Sequence, residues 1–264
     1  MKDIFKNYIY PIVTLSGSII GVGFLSLPYV ALKVGIAPMI FYFVFLTFVV
    51  VSLHLILGKI ALKTPDFKRW PGFVEYYFGK KEKKIILVPI ILGSFGVLLA
   101  YLIVGSQFLS TIFSPIFGGD LLLYVFLYFA ILSLSVYFGS GAIAKLEFWA
   151  ILVLILSLLF IFLKSFSYLR LENILPFHSN INVYNFFLPY GAILFSLWGT
   201  ALIPEVEEMV RGRKNILKII LITATLIPAV IYIAFIFLVL GITGEKTTES
   251  ALVGLKDILG NGMS

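Results

Sequence analysis

Thr14-Leu-Ser-Gly-Ser-Ile-Ile-Gly-Val-Gly-Phe-Leu-Ser-Leu-Pro28 puts Gly17, Gly21, Gly23 and Pro28 into one apolar stretch that runs from about Pro11 to Leu32. Roughly 20 apolar residues suffice to cross a bilayer, so the stretch reads as a membrane helix. No small-residue cleavage site precedes a soluble domain, which argues against a signal peptide. Gly17-x-x-x-Gly21 fits close helix packing, but packing does not call for Gly23 or Pro28 as well. Gly21-Val-Gly23 lies at the centre of the span. Non-helical backbone at that depth survives only where it is buried or lines a cavity. The expectation is a helix that unwinds at Gly21–Gly23.

The rest of the chain agrees with a membrane setting. Of 264 residues, 61% are hydrophobic and 12% charged, about half the usual charged share, and the mean hydropathy is +1.08. This composition excludes a soluble enzyme, a nucleic-acid binder and a disordered chain as first readings. Six further spans follow at about Ala37–Leu62, Ile85–Phe113, Leu121–Phe138, Phe148–Leu163, Phe186–Pro204 and Ile216–Leu240. The fifth is short and borrows Lys145 to Glu147 and Lys164 as interfacial ends. With the N-terminus cytoplasmic, fifteen of the 20 Lys and Arg residues fall inside, as the positive-inside rule requires. The net charge of +7 therefore points to cytoplasmic loops and anionic lipid. Lys63–Lys84 carries seven of the basic residues, and Pro71–Phe78 within it suits a short interfacial helix or a plain topology anchor.

Span six repeats the theme of span one. Leu188-Pro-Tyr-Gly-Ala-Ile-Leu-Phe-Ser-Leu-Trp-Gly-Thr-Ala-Leu-Ile-Pro204 carries Gly199-x4-Pro204, the same spacing as Gly23-x4-Pro28, in a span of opposite direction. Paired interrupted helices in two halves of a chain point to a transporter site at the bilayer midplane. The candidate ligands are Ser18, Ile19, Ile20, Gly21, Val22, Gly23, Phe24 and Leu25 in span one, and Phe195, Ser196, Trp198 and Gly199 in span six. Amides at Gly23, Phe24 and Leu25 open a half-helix and suit a carboxylate. Carbonyls at Ile19, Ile20, Phe195 and Ser196 suit an ammonium. Ser16 and Ser18 have hydroxyls near the break and read first as backbone-bonded serines, with a ligand role as the rival. Tyr101 in span three lines the pocket or packs; Trp198 caps it or packs; Gln107 gates or packs. His54 reads as a packing histidine, with a proton relay as the rival. Glu147 reads as interfacial, and Glu205, Glu207 and Glu208 as an inner cluster facing Arg211, Arg213 and Lys214.

Catalysis is not expected. There is no cysteine, the histidines are only His54 and His178, and no acidic residue lies deep within a span. No metal site is expected, and no cofactor; Na⁺ and H⁺ stand open as coupling ions.

Gly17–Tyr29 resembles the opening motif of the amino acid/auxin permease family and its prokaryotic aromatic-amino-acid permease relatives, within the amino acid–polyamine–organocation superfamily. Phe195–Glu205 with Arg211–Lys214 resembles their sixth helix and following loop, and Phe73–Gly79 the element after their second helix. The resemblance implies an all-α polytopic membrane protein of the leucine-transporter fold, an inverted repeat of five plus five helices with helices one and six broken. It divides the chain into a first repeat at 1–164, an external loop at 165–185 and the start of the second repeat at 186–264. The function implied is secondary active transport of amino acids across the cytoplasmic membrane. The implied partners are the amino-acid substrate and membrane lipids, and no nucleic acid. The family has about eleven spans, and Thr247–Leu255 resembles the segment leading to its eighth helix. The second repeat is therefore incomplete here. A second polypeptide supplying the remaining helices is one expectation; a non-transporting subunit or truncated permease is the alternative.

Orientation is directly measurable because the chain has no native cysteine. Single cysteines at Lys80 and Arg213 should label only from the cytoplasmic side, and those at Asp120 and Asn173 only from outside. External labelling at position 80 would invert the arrangement.

Overall fold

The computed structural model describes residues 5–138, 140–174, 183–210, 213–249 and 251, and among them every regular element is helical. The chain falls into two compact units, residues 1–67 with 151–264, and residues 68–150. These units follow contacts and do not trace the repeat boundary expected at residue 164.

In the first unit, a π-helical turn at Phe5–Ile9 leads into α1 (Tyr10–Ile19); a 3-10 segment, Val22–Ser26, leads into α2 (Leu27–Val34). The two halves meet at 51°. Gly35, at φ +86°, turns the chain into α3 (Ile36–Lys63). Glycine takes such an angle without steric cost.

The second unit opens with α4 (Trp70–Phe78), the short amphipathic element expected from Pro71–Phe78. Gly79, at φ +113°, ends α4 and starts α5 (Lys80–Phe117), and α6 (Leu121–Tyr137) packs on α5. Lys83 donates a hydrogen bond to Glu75 across that turn, and its ammonium holds the Glu75 carboxyl below the usual carboxylate range. The Asp120 carboxylate accepts from the Leu123 amide and caps α6. Helix α7 (Ser140–Ser165) carries the chain back toward the first unit's residues.

In the first unit again, α8 (Val183–Leu197), a 3-10 turn (Thr200–Leu202) and α9 (Ile203–Val210) form the second interrupted segment. Helix α10 (Lys214–Thr243) is the spine of this unit. It packs against α1, α2 and α3. Its most apolar window is 61% buried, against none for that of α5. At its far end, the Arg170 amide and Asn173 Nδ2 both donate to the Gly241 carbonyl at 2.9 Å.

All seven apolar stretches are largely helical where described, with interruptions at Ile20–Gly21 and Trp198–Gly199. Ile36–Lys63, Lys80–Phe117, Asn185–Val210 and Lys214–Lys246 are long and apolar enough to cross a membrane, and Asn7–Ile19 with Val22–Val34 makes a fifth, bent span. Leu121–Tyr137 and Leu152–Tyr168 are the shorter pair. Contacts fix relative directions. Ser16 bonds Ala224 and Ile19 bonds Tyr232, so α1 and α10 run parallel. His54 meets Thr225 while Gly58 faces Leu221, so α3 and α10 run antiparallel. These are the directions that alternating crossings assign to spans one, two and seven.

Gly58 sets the approach of α3 to α10, since a Cβ there would lie 2.5 Å from Leu221 Cδ1. Gly58→Leu should destabilise the protein by about 1–3 kcal/mol through overpacking, seen as a lower thermal midpoint in detergent. Gly93→Ala, where a Cβ meets nothing within 4 Å, should leave the midpoint unchanged or raised.

Candidate functional site

The first break is a tight reversal of hydrogen bonding. The Ile20 amide still donates to the Ser16 carbonyl at 2.9 Å, closing the last turn of α1. Ile20 then takes φ −74°, ψ 86°, an inverse γ-turn, and the Gly21 amide bonds back to the Ile19 carbonyl at 2.9 Å. Gly21 is extended, and the 3-10 segment begins at Val22. Its first i+3 bond leaves the Val22 and Gly23 amides ahead of the ladder. Ser26 Oγ donates to the Gly23 carbonyl at 2.9 Å.

The second break is shorter. Helix α8 stops at Leu197, Trp198 and Gly199 are non-helical, and the 3-10 turn Thr200–Leu202 follows. The recurring Gly-x4-Pro now has a structural meaning. Pro28 is the second residue of α2 and Pro204 the second residue of α9. A first-turn proline loses no helical hydrogen bond, because that amide is unpaired in any case. Each proline restarts a helix after a 3-10 interruption.

The two breaks interlock. A Cβ on Gly23 would stand 2.7 Å from Phe195 Cδ1 and 2.9 Å from Ser196 Oγ; one on Gly199 would strike Ile19 Cγ1 and lie 3.4 Å from Leu15 Cδ1. As residue number rises from 19 to 23 in one segment, its neighbours fall from 199 to 195 in the other, so the segments pass antiparallel. Both glycines are needed because backbone and side chain meet there without room for another carbon.

One side chain not foreseen from the sequence joins them. Tyr232 of α10 is buried, and its hydroxyl lies 2.9 Å from the Ile19 carbonyl and 3.1 Å from the Ser196 carbonyl. The Phe24 ring stacks on Tyr232 at 5.3 Å and meets Phe235 edge-on at 4.9 Å. The Ile19 carbonyl thus accepts from both Gly21 and Tyr232, where an unpaired group was expected. Tyr232 offered no signal beyond being a tyrosine in an apolar helix.

The remaining expected residues divide as follows. Gly21, Val22, Gly23, Phe24 and Leu25 all lie at the first break; Phe195, Ser196, Trp198 and Gly199 all lie at the second. Phe24 and Leu25 bury their side chains and their amides belong to the 3-10 ladder, so of the expected carboxylate donors Gly23 stays open and Val22 joins it. Phe195 and Trp198 are both 49% exposed. Trp198 is thus half open to the surroundings in this structure. Ser16 and Ser18 separate: Ser16 is buried and donates to the Ala224 carbonyl at 3.1 Å, while Ser18 is half-buried. Tyr101 and Gln107 belong to α5 in the second unit, Tyr101 half-buried and Gln107 exposed. Lys145 and Glu147 carry side chains outside the described residues, as do all of Arg211 and His178. Arg213 donates to Asn7 Oδ1 at 2.9 Å and to the Val210 carbonyl at 3.0 Å; Glu207 is buried and Glu208 exposed.

A cavity of about 310 Å³ lies within the second unit between α5 and α6, walled by apolar side chains including Phe113, Phe117, Leu123 and Leu127. Its Tyr124 hydroxyl donates to the Gly118 carbonyl. That lining cannot solvate a charged ligand, whereas the paired breaks present amides and carbonyls together. Among the described residues, no cluster of three or more His, Asp or Glu is arranged to hold a metal.

Tyr232→Phe keeps the stacked ring and removes the shared hydroxyl. It should lower stability by about 1–3 kcal/mol, the cost of a buried carbonyl losing its donor, measured as a drop in thermal midpoint. Tyr190→Phe, at a residue 50% exposed, should leave the midpoint in place.

The sequence profile of the family described as transmembrane amino acid transporter protein matches residues 7–258. No curated protein and no solved structure gives a significant match to the chain. The matched range takes in both interrupted segments and α10, and the chain belongs to the transmembrane amino acid transporter family.

Proposed function

We propose that the chain carries amino acids across the cytoplasmic membrane by alternating access, with the N-terminus inside and the substrate held at the two interrupted segments. The observation that carries this reading is the meeting of the two breaks at Gly23, Gly199 and the Tyr232 hydroxyl. A zwitterion brings a carboxylate and an ammonium a few bonds apart, and both lose water on entering a membrane. The carboxylate is matched by the Val22 and Gly23 amides, at the positive end of the half-helix that continues through α2. The ammonium is matched by carbonyls of Ile20, Phe195 and Ser196. The Tyr232 hydroxyl holds the two segments at a fixed separation, so a ligand that displaced it would free them to move apart. Family membership supports an amino-acid transporter rather than an enzyme. The five-plus-five inverted repeat is part of the same proposal.

The test is reconstitution of the full chain into liposomes, with counterflow of a radiolabelled amino-acid mixture. The wild type should show saturable exchange. Gly23→Leu should weaken substrate binding by about a hundredfold, the penalty for misplacing a ligand by an ångström, while inserting normally; Gly17→Ala should be milder. Unchanged affinity in Gly23→Leu would remove the breaks as the site. Absence of exchange by the wild type would favour a non-transporting subunit.

A further inference from the structure

His54 is an ionisable residue held deep inside the helix bundle. It lies nine residues before Lys63 at the end of α3, about 14 Å along the helix. Thr225, its partner, lies eleven residues after Lys214 on α10, about 17 Å along. Half of a hydrocarbon core of about 30 Å is 15 Å, so both helices place this pair near the membrane midplane. Ionisable groups at that depth are costly to keep and mark ion or proton pathways.

Thr225 Oγ1 donates its single proton to the Leu221 carbonyl at 2.8 Å. Its oxygen is also 2.8 Å from His54 Nδ1, and while its proton is on the Leu221 carbonyl it accepts from that nitrogen. In that arrangement the neutral imidazole has its hydrogen on Nδ1 and its basic lone pair on Nε2. Both residues are fully buried, and Nε2 has no hydrogen-bond partner among the described residues. A packing histidine needs no such arrangement, since a buried polar atom left unpaired costs about 1–3 kcal/mol.

We propose that His54 Nε2 is the proton-binding site that couples proton movement to the transport cycle. This rests on the transport reading above and adds the coupling ion and its carrier. The step is a protonation. The Nε2 lone pair takes a proton from hydronium, one N–H bond forms as one O–H bond breaks, and the ring gains one positive charge; release is the reverse. No electron is transferred.

The surroundings make that step conditional on conformation. Helix α3 packs against α2, α8, α9 and α10. Its own titratable residues besides His54 are Tyr42, Lys59 and Lys63. Those of α2 are Tyr29 and Lys33, those of α8 are Tyr184 and Tyr190, and those of α10 are Lys214, Lys218 and Tyr232. The acidic residues on these elements are Glu205, Glu207 and Glu208 of α9, of which Glu207 is buried. The group hydrogen-bonded to the ring is the neutral Thr225. A charged ring buried beside it would face the desolvation cost of an ion. Proton binding thus needs a state in which water reaches the α3–α10 contact, and by linkage the proton favours that state. The same stretch of α10 holds α1, through Ser16 to the Ala224 carbonyl. An opening at Thr225 acts on the helix that ends at the first break.

The experiment compares wild type and His54→Gln, full chain, in liposomes. Gln can keep a hydrogen bond to Thr225 but cannot take the proton. Counterflow of a radiolabelled amino-acid mixture requires no net proton movement and reports the transport cycle. Uptake driven by an imposed pH gradient, with pyranine trapped inside, reports coupling. The wild type should accumulate amino acid and acidify the lumen. His54→Gln should retain counterflow while gradient-driven accumulation falls by about 5- to 150-fold, the range of ordinary coupling. Gradient-driven accumulation surviving in His54→Gln would overturn the assignment of His54 and leave the transport reading standing. Absence of counterflow in the wild type would overturn both. A second measurement does not depend on transport. His178→Gln leaves His54 as the sole histidine, and nitrogen-15 spectra in lipid nanodiscs report its tautomer and charge. A neutral ring with hydrogen on Nδ1 is expected at about pH 8, and a protonated ring should grow in as the pH is lowered. A ring with hydrogen on Nε2, or one that does not protonate before the protein unfolds in acid, would overturn the proposal.

Discussion

A helix interrupted inside hydrocarbon leaves amides and carbonyls that no water can satisfy. The first unit of this protein answers that constraint at two places with one oxygen. Tyr232 Oη reaches a carbonyl from each of two interrupted segments, Ile19 on one and Ser196 on the other. The γ-turn at Ile20 satisfies the next amide locally. What is left unpaired by the ladder, chiefly the amides at the start of the 3-10 segment, is a small polar surface inside an apolar bundle. The rest of the unit keeps that surface in shape.

Helix α10 does most of the keeping. Along one run of the helix it receives Ser16 at Ala224, His54 at Thr225, and both breaks at Tyr232, with Phe24 packed between Tyr232 and Phe235. The contacts come from α1, α3, α8 and the 3-10 segment, so a shift of α10 along its axis acts on all of them together. The glycine contacts add a steric counterpart. Gly23 faces Phe195 and Ser196, and Gly199 faces Ile19 and Leu15. Polar tethers to α10 and close contacts between the breaks therefore constrain the same few residues from two sides.

The breaks were legible in the sequence because glycine and proline act locally. Gly21, Gly23 and Pro28 announce an interruption whatever surrounds them, and the repeat of the spacing at Gly199 and Pro204 marks the second one. Helix α4 was legible for a similar reason, since Pro71 and Gly79 bracket an amphipathic run. Tyr232 and Thr225 were not. Both sit in a helix that reads as uniformly apolar, and their partners are separated from them by 213 and 171 residues. No periodicity links positions so far apart. The two serines at 16 and 18 show the limit within one helix: their residue type is the same, and only the neighbour across the interface separates the one bonded to Ala224 from the one that is not. The resemblance of Gly17–Tyr29 pointed to the right family, but it carried no information about which side chain bridges the breaks.

The separation of 213 residues between Ile19 and Tyr232 also bears on how the protein is made. At about 5–20 residues per second, a ribosome that has synthesised Ile19 takes about 10–40 s to reach Tyr232. Throughout that interval the interrupted first span exists without the hydroxyl that satisfies its carbonyl, and for most of it without the second segment that fills the space beside its glycines. During biogenesis the first helix must therefore wait, in the insertion machinery or in a provisional continuous form, until the seventh arrives. Formation of the break is then a late event in assembly, timed by the synthesis of α10.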